Sequence, residues 1–122
     1  MAISKTMVSG SMTMLLLKLL SEKDMYGYKM ISTLRQRSQN VFELKAGTLY
    51  PLLHTMEEKK LLQSYEQEIQ GKMRKYYSIT REGRRMLSEK EAEWREYAGA
   101  VTSVLGLEGG QMEEYLQKVL EQ

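Results

Sequence analysis

The sequence predicts a mainly α-helical fold with one small β-hairpin. Three observations indicate this architecture. Apolar residues recur at helical spacing in three segments before residue 61, and two extended runs then flank Gln70 and Gly71. Helical spacing returns after Thr80 and continues to Leu105. The pattern divides the chain into a compact part, residues 1–80, and a helical part, residues 81–122.

The composition is typical of a globular chain that folds without disulfides. The 122 residues are 42% hydrophobic and 28% charged, which suits one domain with a helical appendage. There is no cysteine, so disulfides, thiolate catalysis and Cys-based zinc sites are excluded. The longest apolar run, residues 12–20, is interrupted by Lys18 and is too short to span a membrane, and the N-terminus lacks a signal-peptide pattern. We expect a soluble, cytoplasmic protein with no membrane partner.

Two helices are predicted before residue 41. The first could be capped by Ser9 or Ser11. Its apolar face consists of Met12, Leu15, Leu16, Leu19 and Leu20. The second helix contains Gly27 near its start and ends near residues 38–40. The segment VFEL, residues 41–44, then has the β-branched and aromatic composition of a brief strand.

The third predicted helix has an unusual beginning. It extends from Gly47 to about Lys60, and its apolar face consists of Leu49, Leu52, Leu53 and Met56. Thr48 is positioned to cap it, and Pro51 is placed in its first turn, where N–H groups have no helical partner. Such a terminus carries free N–H groups and the positive end of the helix dipole. There are two interpretations of this turn. Either its residues only favour the initiation of a helix, or they face the phosphates and base edges of DNA.

The predicted hairpin carries a cluster of positive charge. Its cations, all within four positions, are Lys72, Arg74 and Lys75. Alternation places Tyr77 and Ile79 on one face of the second strand and Tyr76 on the other, with Arg74. Such a cluster either contacts phosphates or protects a solvated edge strand from aggregation.

Charge is distributed unevenly along the chain. Residues 1–80 contain 12 Lys and Arg against 7 Asp and Glu, whereas residues 81–122 contain 6 against 9. A basic front indicates a polyanionic partner, although an excess of this size also occurs on ordinary surfaces. Three helices followed by a basic hairpin are typical of a winged helix-turn-helix domain, with the third helix in the major groove. We call that helix the reading helix and the hairpin the wing, and we predict that residues 1–80 bind double-stranded DNA.

The long C-terminal helix carries an apolar stripe. Thr80 is a plausible N-cap, and a helix continuing to Leu105 would be roughly 39 Å long. The stripe consists of Leu87, Trp94 and Val101, seven residues apart, with Tyr97 and Val104. It needs a partner, most simply a second copy of the chain. Gly106, Gly109 and Gly110 end this helix and a short one follows over residues 111–122. We predict that residues 81–122 form C-terminal dimerisation helices.

Catalytic machinery is missing from the sequence. His54 is the sole histidine, and no Gly-rich phosphate loop or metal-ligand cluster is present. We predict that the protein is not an enzyme and needs no cofactor or metal. A competing interpretation is a winged-helix module that binds another protein and has no specific operator, and the salt dependence of binding would distinguish the two.

Three segments together resemble one protein family. MYGYKM, AGTLYPLLHTMEEKKLLQS and GKMRKYYSITREGRRML resemble, in order and spacing, the PadR-like winged helix-turn-helix transcriptional regulators. The resemblance covers about residues 12–105. The chain departs from the family pattern at Met56-Glu57, where Leu-Glu is usual, at Ile79, where Leu is common, and at Met73 inside the wing. These departures leave the DNA target open.

The resemblance implies a dimeric bacterial regulator, usually a repressor, that binds a palindromic operator. Carried over by position, the family's DNA-binding residues fall at the start of the second helix, on the reading helix and on the wing. They are Tyr26, Tyr28, Lys29, Gly47, Thr48, Tyr50, Pro51, His54, Lys72, Arg74 and Lys75. His54 occupies an outer position that varies with the site read. Each tyrosine could equally pack in the core, Tyr76 and Tyr77 above all.

The resemblance also implies an effector. Trp94 and Tyr97 lie mid-stripe, and a homodimer would bring two copies of Trp94 near its axis. Paired indoles there could sandwich a planar aromatic small molecule, and some PadR-like proteins release DNA when such compounds bind. The alternative is a tryptophan that merely fills the dimer seam.

Overall fold

The computed structural model describes residues 5–107, with side chains from residue 11. Its elements are α1 (Lys5–Glu22), β1 (Met25–Tyr26), α2 (Gly27–Arg37), α3 (Ala46–Glu58), β2 (Leu62–Ile69), β3 (Lys72–Ile79) and α4 (Arg81–Leu105). The predicted fold, mainly α-helical with a small β-hairpin, is confirmed. The helix predicted over residues 111–122, with Gly109 and Gly110, lies outside the described residues. Within residues 5–107, no helix is long and apolar enough to cross a membrane.

The chain forms two compact units, Met1–Ser88 and Glu89–Gln122. The described part of the first contains α1, α2, α3, the sheet and the start of α4. The described part of the second contains the remainder of α4. All the buried hydrophobic side chains described belong to the first unit.

A single apolar core holds the first unit together. Its most deeply buried side chains come from the three N-terminal helices and are Leu16, Leu17, Leu20, Met30, Leu49, Leu53 and Met56. The sheet adds Leu62, Tyr77 and Ile79, and α4 adds Leu87. Burying one Leu or Met side chain contributes about 1.5–3 kcal/mol. Among the described residues, all the buried side chains of this core belong to hydrophobic residue types.

The sheet is antiparallel and three-stranded, in the order β1-β3-β2. Gln70 and Gly71 join β2 to β3 with φ values of 53° and 80°, as a two-residue hairpin turn requires. Tyr77 pairs with Met25 on one side and with Ser64 on the other. The predicted turn and the alternation along the second hairpin strand are therefore confirmed.

The strand that pairs with the hairpin does not lie where the sequence predicted a further strand. Residues 41–45 are irregular, so the strand predicted over VFEL is wrong. After α2, Gln39 and Asn40 adopt positive φ, and the N–H of Phe42 donates to the Ser38 hydroxyl at 3.0 Å. This turn buries Leu44 without strand pairing. The real third strand, β1, has two residues, which is too short to leave a period in the sequence.

The start of α1 also differs from the prediction. The helix begins at Lys5, before Ser9 and Ser11, so neither serine is its N-cap. A helix can form through this segment because it contains no proline. The predicted N-cap of α4 is confirmed, since the N–H of Gly83 donates to Thr80 Oγ1 at 3.0 Å.

The first turn of α4 approaches the chain between α3 and β2 very closely. A Cβ at Gly83 would lie 2.7 Å from Ile79 Cγ1 and would overlap the carbonyl oxygen of Leu61. Only glycine permits this approach, because any other residue would force the backbone of α4 away from Leu61.

We expect Gly83→Ala to lower the free energy of unfolding by about 1–3 kcal/mol, because the added methyl overpacks this contact. Gly99→Ala on the same helix is the matched control, since a Cβ there meets nothing within 4 Å. It should raise stability by about 0.5–1 kcal/mol. Urea unfolding followed by circular dichroism measures both, and a loss of equal size in the two variants would contradict the prediction.

Candidate nucleic-acid interface

One face of α3 is buried and the opposite face is exposed. Leu49, Leu53 and Met56 anchor the helix in the core. Opposite them, at spacings of four, three and four residues, lie the exposed residues Gly47, Pro51, His54 and Glu58. We call these four residues the outer stripe. Thr48 and Tyr50, also exposed, flank it, so the predicted residues of the reading helix lie on its free side.

The start of α3 has no side-chain cap. The helix begins at Ala46, and its N-cap Lys45 makes no capping hydrogen bond through its side chain. Thr48 lies within the helix, so its prediction as the cap is wrong. The reason is that the backbone carbonyl of Lys45 already accepts from the N–H groups of Thr48 and Leu49. The N-cap is therefore Lys45, three residues before the predicted cap. The positive end of the helix dipole is thus left to interact with solvent or an anion.

Pro51 lies deeper in α3 than predicted. It is the sixth residue of the helix, not a member of the first turn. Proline has no N–H to donate to the carbonyl of Gly47, and its ring crowds that carbonyl. Such a residue lowers helix stability by about 3 kcal/mol relative to alanine. Stability therefore does not explain Pro51, and this favours the functional interpretation of the turn.

Tyr50 connects the starts of α2 and α3. A Cβ at Gly27 would lie 2.8 Å from Cζ of Tyr50, so the phenol ring covers this glycine. Partial burial raises the pKa of Tyr50 above its ordinary value, and the nearby phenols of Tyr28 and Tyr77 make smaller contributions in the same direction. The hydroxyl therefore stays protonated at neutral pH. Tyr50 is at once a packing residue and a half-exposed donor beside the outer stripe.

A row of tyrosines crosses the outward face of the sheet. Tyr26 on β1 pairs with Tyr76 on β3, which pairs with Tyr65 on β2. The Tyr26 and Tyr76 rings meet edge to face at 5.5 Å, and Tyr65 stacks on Tyr76 at 5.7 Å. The Tyr65 hydroxyl donates to Asp24 Oδ2 at 2.7 Å, and this bond raises the pKa of Tyr65.

Sequence reasoning missed Tyr65 and Asp24, although a signal for Tyr65 existed. Tyr65 and Tyr76 are equally distant from the turn at Gln70 and Gly71. A hairpin register centred on that turn pairs them directly. The prediction that tyrosines pack in the core holds for Tyr77, which is buried, but Tyr76 lies in the half-exposed row.

The wing presents its cations on two faces. The Arg74 guanidinium lies 4.4 Å from the centroid of the Tyr26 ring, on the face of the tyrosine row. Lys75 lies on the other face, with Nζ 5.6 Å from the Tyr77 ring, opposite Glu66 in register. Lys72 shares the face of Arg74 by alternation. Lys72, Arg74 and Tyr26 line a groove of about 330 Å³ at the tip of the wing.

A second groove lies between α2 and the start of α3. It has a volume of about 570 Å³, and its lining includes Tyr26, Tyr28, Arg35 and Lys45. Tyr28 and Lys29 are exposed at the start of α2, as a contact with DNA would require. Arg35 and Lys45 were not predicted site residues, because nothing but their charge distinguishes them in the sequence.

The predicted effector residues lie on the exposed face of α4 in the second unit. Trp94 is 48% exposed and Tyr97 is 64% exposed, with ring centroids 5.9 Å apart. Val101, Val104 and Leu105 are also exposed. Leu87, predicted at the head of the same stripe, is buried in the core of the first unit. Its assignment to a dimer seam is therefore wrong, and the free stripe begins at Trp94.

A helix-turn-helix whose second helix exposes one face, followed by a sheet with a cationic hairpin, is a winged-helix architecture, which is typical of DNA-binding proteins. Comparison with known proteins narrows this class. The profile of the transcriptional regulator PadR-like family matches residues 16–89. The chain belongs to this family and is therefore a DNA-binding regulator of transcription.

Several relatives share sequence or fold with the chain. An uncharacterised protein of Lysinibacillus sphaericus is 37% identical over 90 residues, covering 73% of this chain and 83% of that protein. A transcriptional regulator structure from Clostridium thermocellum has a TM-score of 0.77 at 29% identity, covering 84% of this chain and 97% of the other. A PadR family regulator from Eggerthella lenta has a TM-score of 0.72 at 36% identity, with coverages of 82% and 86%. The predicted family and fold are confirmed.

We expect Pro51→Ala to raise the free energy of unfolding by about 2 kcal/mol. Alanine restores the N–H that proline lacks, and this gain is larger than the loss caused by the greater entropy of the unfolded chain without proline. His54→Ala, also on the outer stripe, is the control and should change stability by less than about 0.5 kcal/mol. Thermal unfolding compares the two. A loss of stability in Pro51→Ala would show that the ring makes a stabilising contact.

Proposed function

We propose that the protein binds a palindromic operator as a homodimer, represses transcription from it and leaves it when a planar aromatic compound binds. We place this activity in the bacterial cytoplasm, where the chromosome lies. The observation that supports DNA binding most directly is the exposed outer stripe of α3 beside a cationic wing on one apolar core. None of the predicted DNA-binding residues is buried.

The roles of the site residues follow from their positions. The outer stripe faces base edges in the major groove, with the uncapped start of α3 directed at the DNA. Tyr28 and Lys29, at the start of α2, contact the phosphate backbone of the DNA. Lys72 and Arg74, on the wing, contact the same backbone. Tyr26 supports the Arg74 guanidinium through a cation–π contact. Phosphate contacts supply affinity and orientation, whereas contacts from α3 supply sequence preference.

Dimerisation is proposed through the exposed stripe of α4. Trp94, Tyr97 and Val101 lie along one helix face, which continues at Val104 and Leu105. The stripe from Trp94 to Leu105 is about 17 Å long, and a second copy would cover it. A two-fold dimer presents two equivalent reading helices, so its operator is a palindrome with half-sites about 34 Å apart or a multiple of that distance.

The effector proposal rests on the paired rings of Trp94 and Tyr97. Two copies facing each other across a dimer axis would offer two indoles to a flat ligand. If Trp94 instead only fills the seam, the dimer forms and no aromatic compound changes its affinity for DNA.

One experiment tests the proposed function directly. Genomic DNA fragments retained by the full chain are sequenced, with and without candidate phenolic compounds. Enrichment of one palindrome supports operator binding, and loss of that enrichment with a compound supports the effector. An even genomic background would favour the competing protein-binding module, and a reporter gene behind the enriched site distinguishes repression from activation.

We expect Lys72→Ala to reduce the slope of log affinity against log salt by about one, because each phosphate contact releases about 0.9 counterion. Arg74→Ala should have a similar effect. Lys18→Ala on α1, a cation paired with Glu22 at 3.8 Å, is the control and should leave the slope unchanged. The slope is measured on the enriched duplex over a range of KCl concentrations. Equal slopes in all variants would exclude Lys72 and Arg74 from phosphate contact.

We expect Val104→Asp to convert the dimer to a monomer, because it places a charge in the proposed seam, where Val104 is 88% exposed in the single chain. Ser103→Asp, exposed on the opposite side of α4, should leave the dimer intact. Sedimentation equilibrium at micromolar concentration measures both. A monomeric wild type, or a dimeric Val104→Asp, would overturn the proposed seam.

A further inference from the structure

The outer stripe of α3 contains few side chains able to read a base. Gly47 has no side chain, and the ring of Pro51 carries neither a donor nor an acceptor. His54 is therefore the first side chain along the stripe that can form a hydrogen bond, and it is 74% exposed. The last member, Glu58, ends the helix and interacts with His54.

Glu58 determines which nitrogen of His54 carries the proton. Its Oε1 lies 3.0 Å from Nε2 of His54. An ionised carboxylate only accepts hydrogen bonds, so Nε2 carries a proton and donates it to Glu58; a neutral imidazole holds one proton on its two nitrogens. Nδ1 is then an acceptor. Because both side chains are largely exposed, the pair adds little to stability, and its main consequence is the tautomer and orientation of the imidazole.

An acceptor at this place distinguishes between bases. In the major groove, adenine offers its N6 amino group and cytosine its N4 amino group, whereas guanine and thymine offer acceptors. We propose that His54, positioned by Glu58, selects an amino base, adenine or cytosine, at one position of each half-site through Nδ1. His54 makes the contact and Glu58 is a positioning residue. The inference rests on the proposed function, because it requires α3 to lie in the major groove.

The test is selection of preferred sites from a pool of random duplexes, using the full chain. In the wild type, one position per half-site should favour amino over keto bases by about three- to tenfold, the range of one net hydrogen bond. His54→Ala should abolish this preference and leave the other positions unchanged. His54→Asn should favour adenine at this position, because an asparagine amide accepts from N6 and donates to N7 of that base.

Glu58→Gln isolates the positioning role. A glutamine amide can donate as well as accept, so either tautomer of His54 satisfies it and the amino preference should weaken. Glu91→Gln removes a carboxylate from another i,i+4 pair, with Arg95 on α4, and should leave every preference unchanged. Base preference is the readout because removing a negative charge near DNA raises affinity for all sequences alike.

The outcomes separate this inference from the proposed function. A wild type that selects no motif overturns the proposed operator binding, and the inference with it. A wild-type motif that His54→Ala leaves intact, or a keto base at the position that His54→Ala changes, overturns the inference alone. An unchanged preference in Glu58→Gln overturns the role of Glu58. Circular dichroism of each variant checks that the helices are intact.

Discussion

The burial of Leu49, Leu53 and Met56 in the core is the constraint on which the rest of the interface depends. These side chains determine which side of α3 faces the solvent, because a helix cannot rotate without exposing them. The same core holds Tyr77 and Ile79 of β3 and so determines which face of the wing points outward. One set of apolar contacts thereby orients both elements that we propose to contact DNA.

Tyrosines connect these elements at the surface, where apolar packing ends. Tyr50 lies over Gly27 and ties the start of α3 to the start of α2. The row of Tyr26, Tyr76 and Tyr65 ties the three strands together across one face. Both tyrosines with shifted pKa values, Tyr50 and Tyr65, have them raised, so these phenols stay neutral donors at physiological pH.

The helix α4 is buried in its first turns and exposed in its later turns. Its first turns belong to the core of the first unit, through Gly83 and Leu87. Its later turns, from Trp94 onward, carry apolar side chains that remain exposed in the single chain. A seven-residue spacing joins Leu87 to Trp94, yet the two residues meet different surroundings. Periodicity therefore identifies a helix face but does not identify what covers each part of it.

The exposure of the candidate site residues could be predicted in large part, because it follows from the apolar periods and turns of the same elements. The outward position of His54 followed from the spacing of Leu49 and Leu53. The split of Lys75 from Arg74 onto different faces followed from strand alternation. Hydrophobic periodicity could not predict contacts between residues far apart in the chain. Examples are the hydrogen bond from Tyr65 to Asp24 and the contact of Arg74 with the Tyr26 ring. Those contacts join residues 41 and 48 positions apart in the chain.

The sequence by itself determined the order of the helices relative to the hairpin, the hairpin turn and the cap of α4, because these depend on interactions between neighbours in the chain. The tertiary structure alone decided two other features. It placed the third strand at Met25–Tyr26, and it buried Leu87. The physical reason is that strand pairing and burial depend on which distant groups compete for the same backbone and apolar surface.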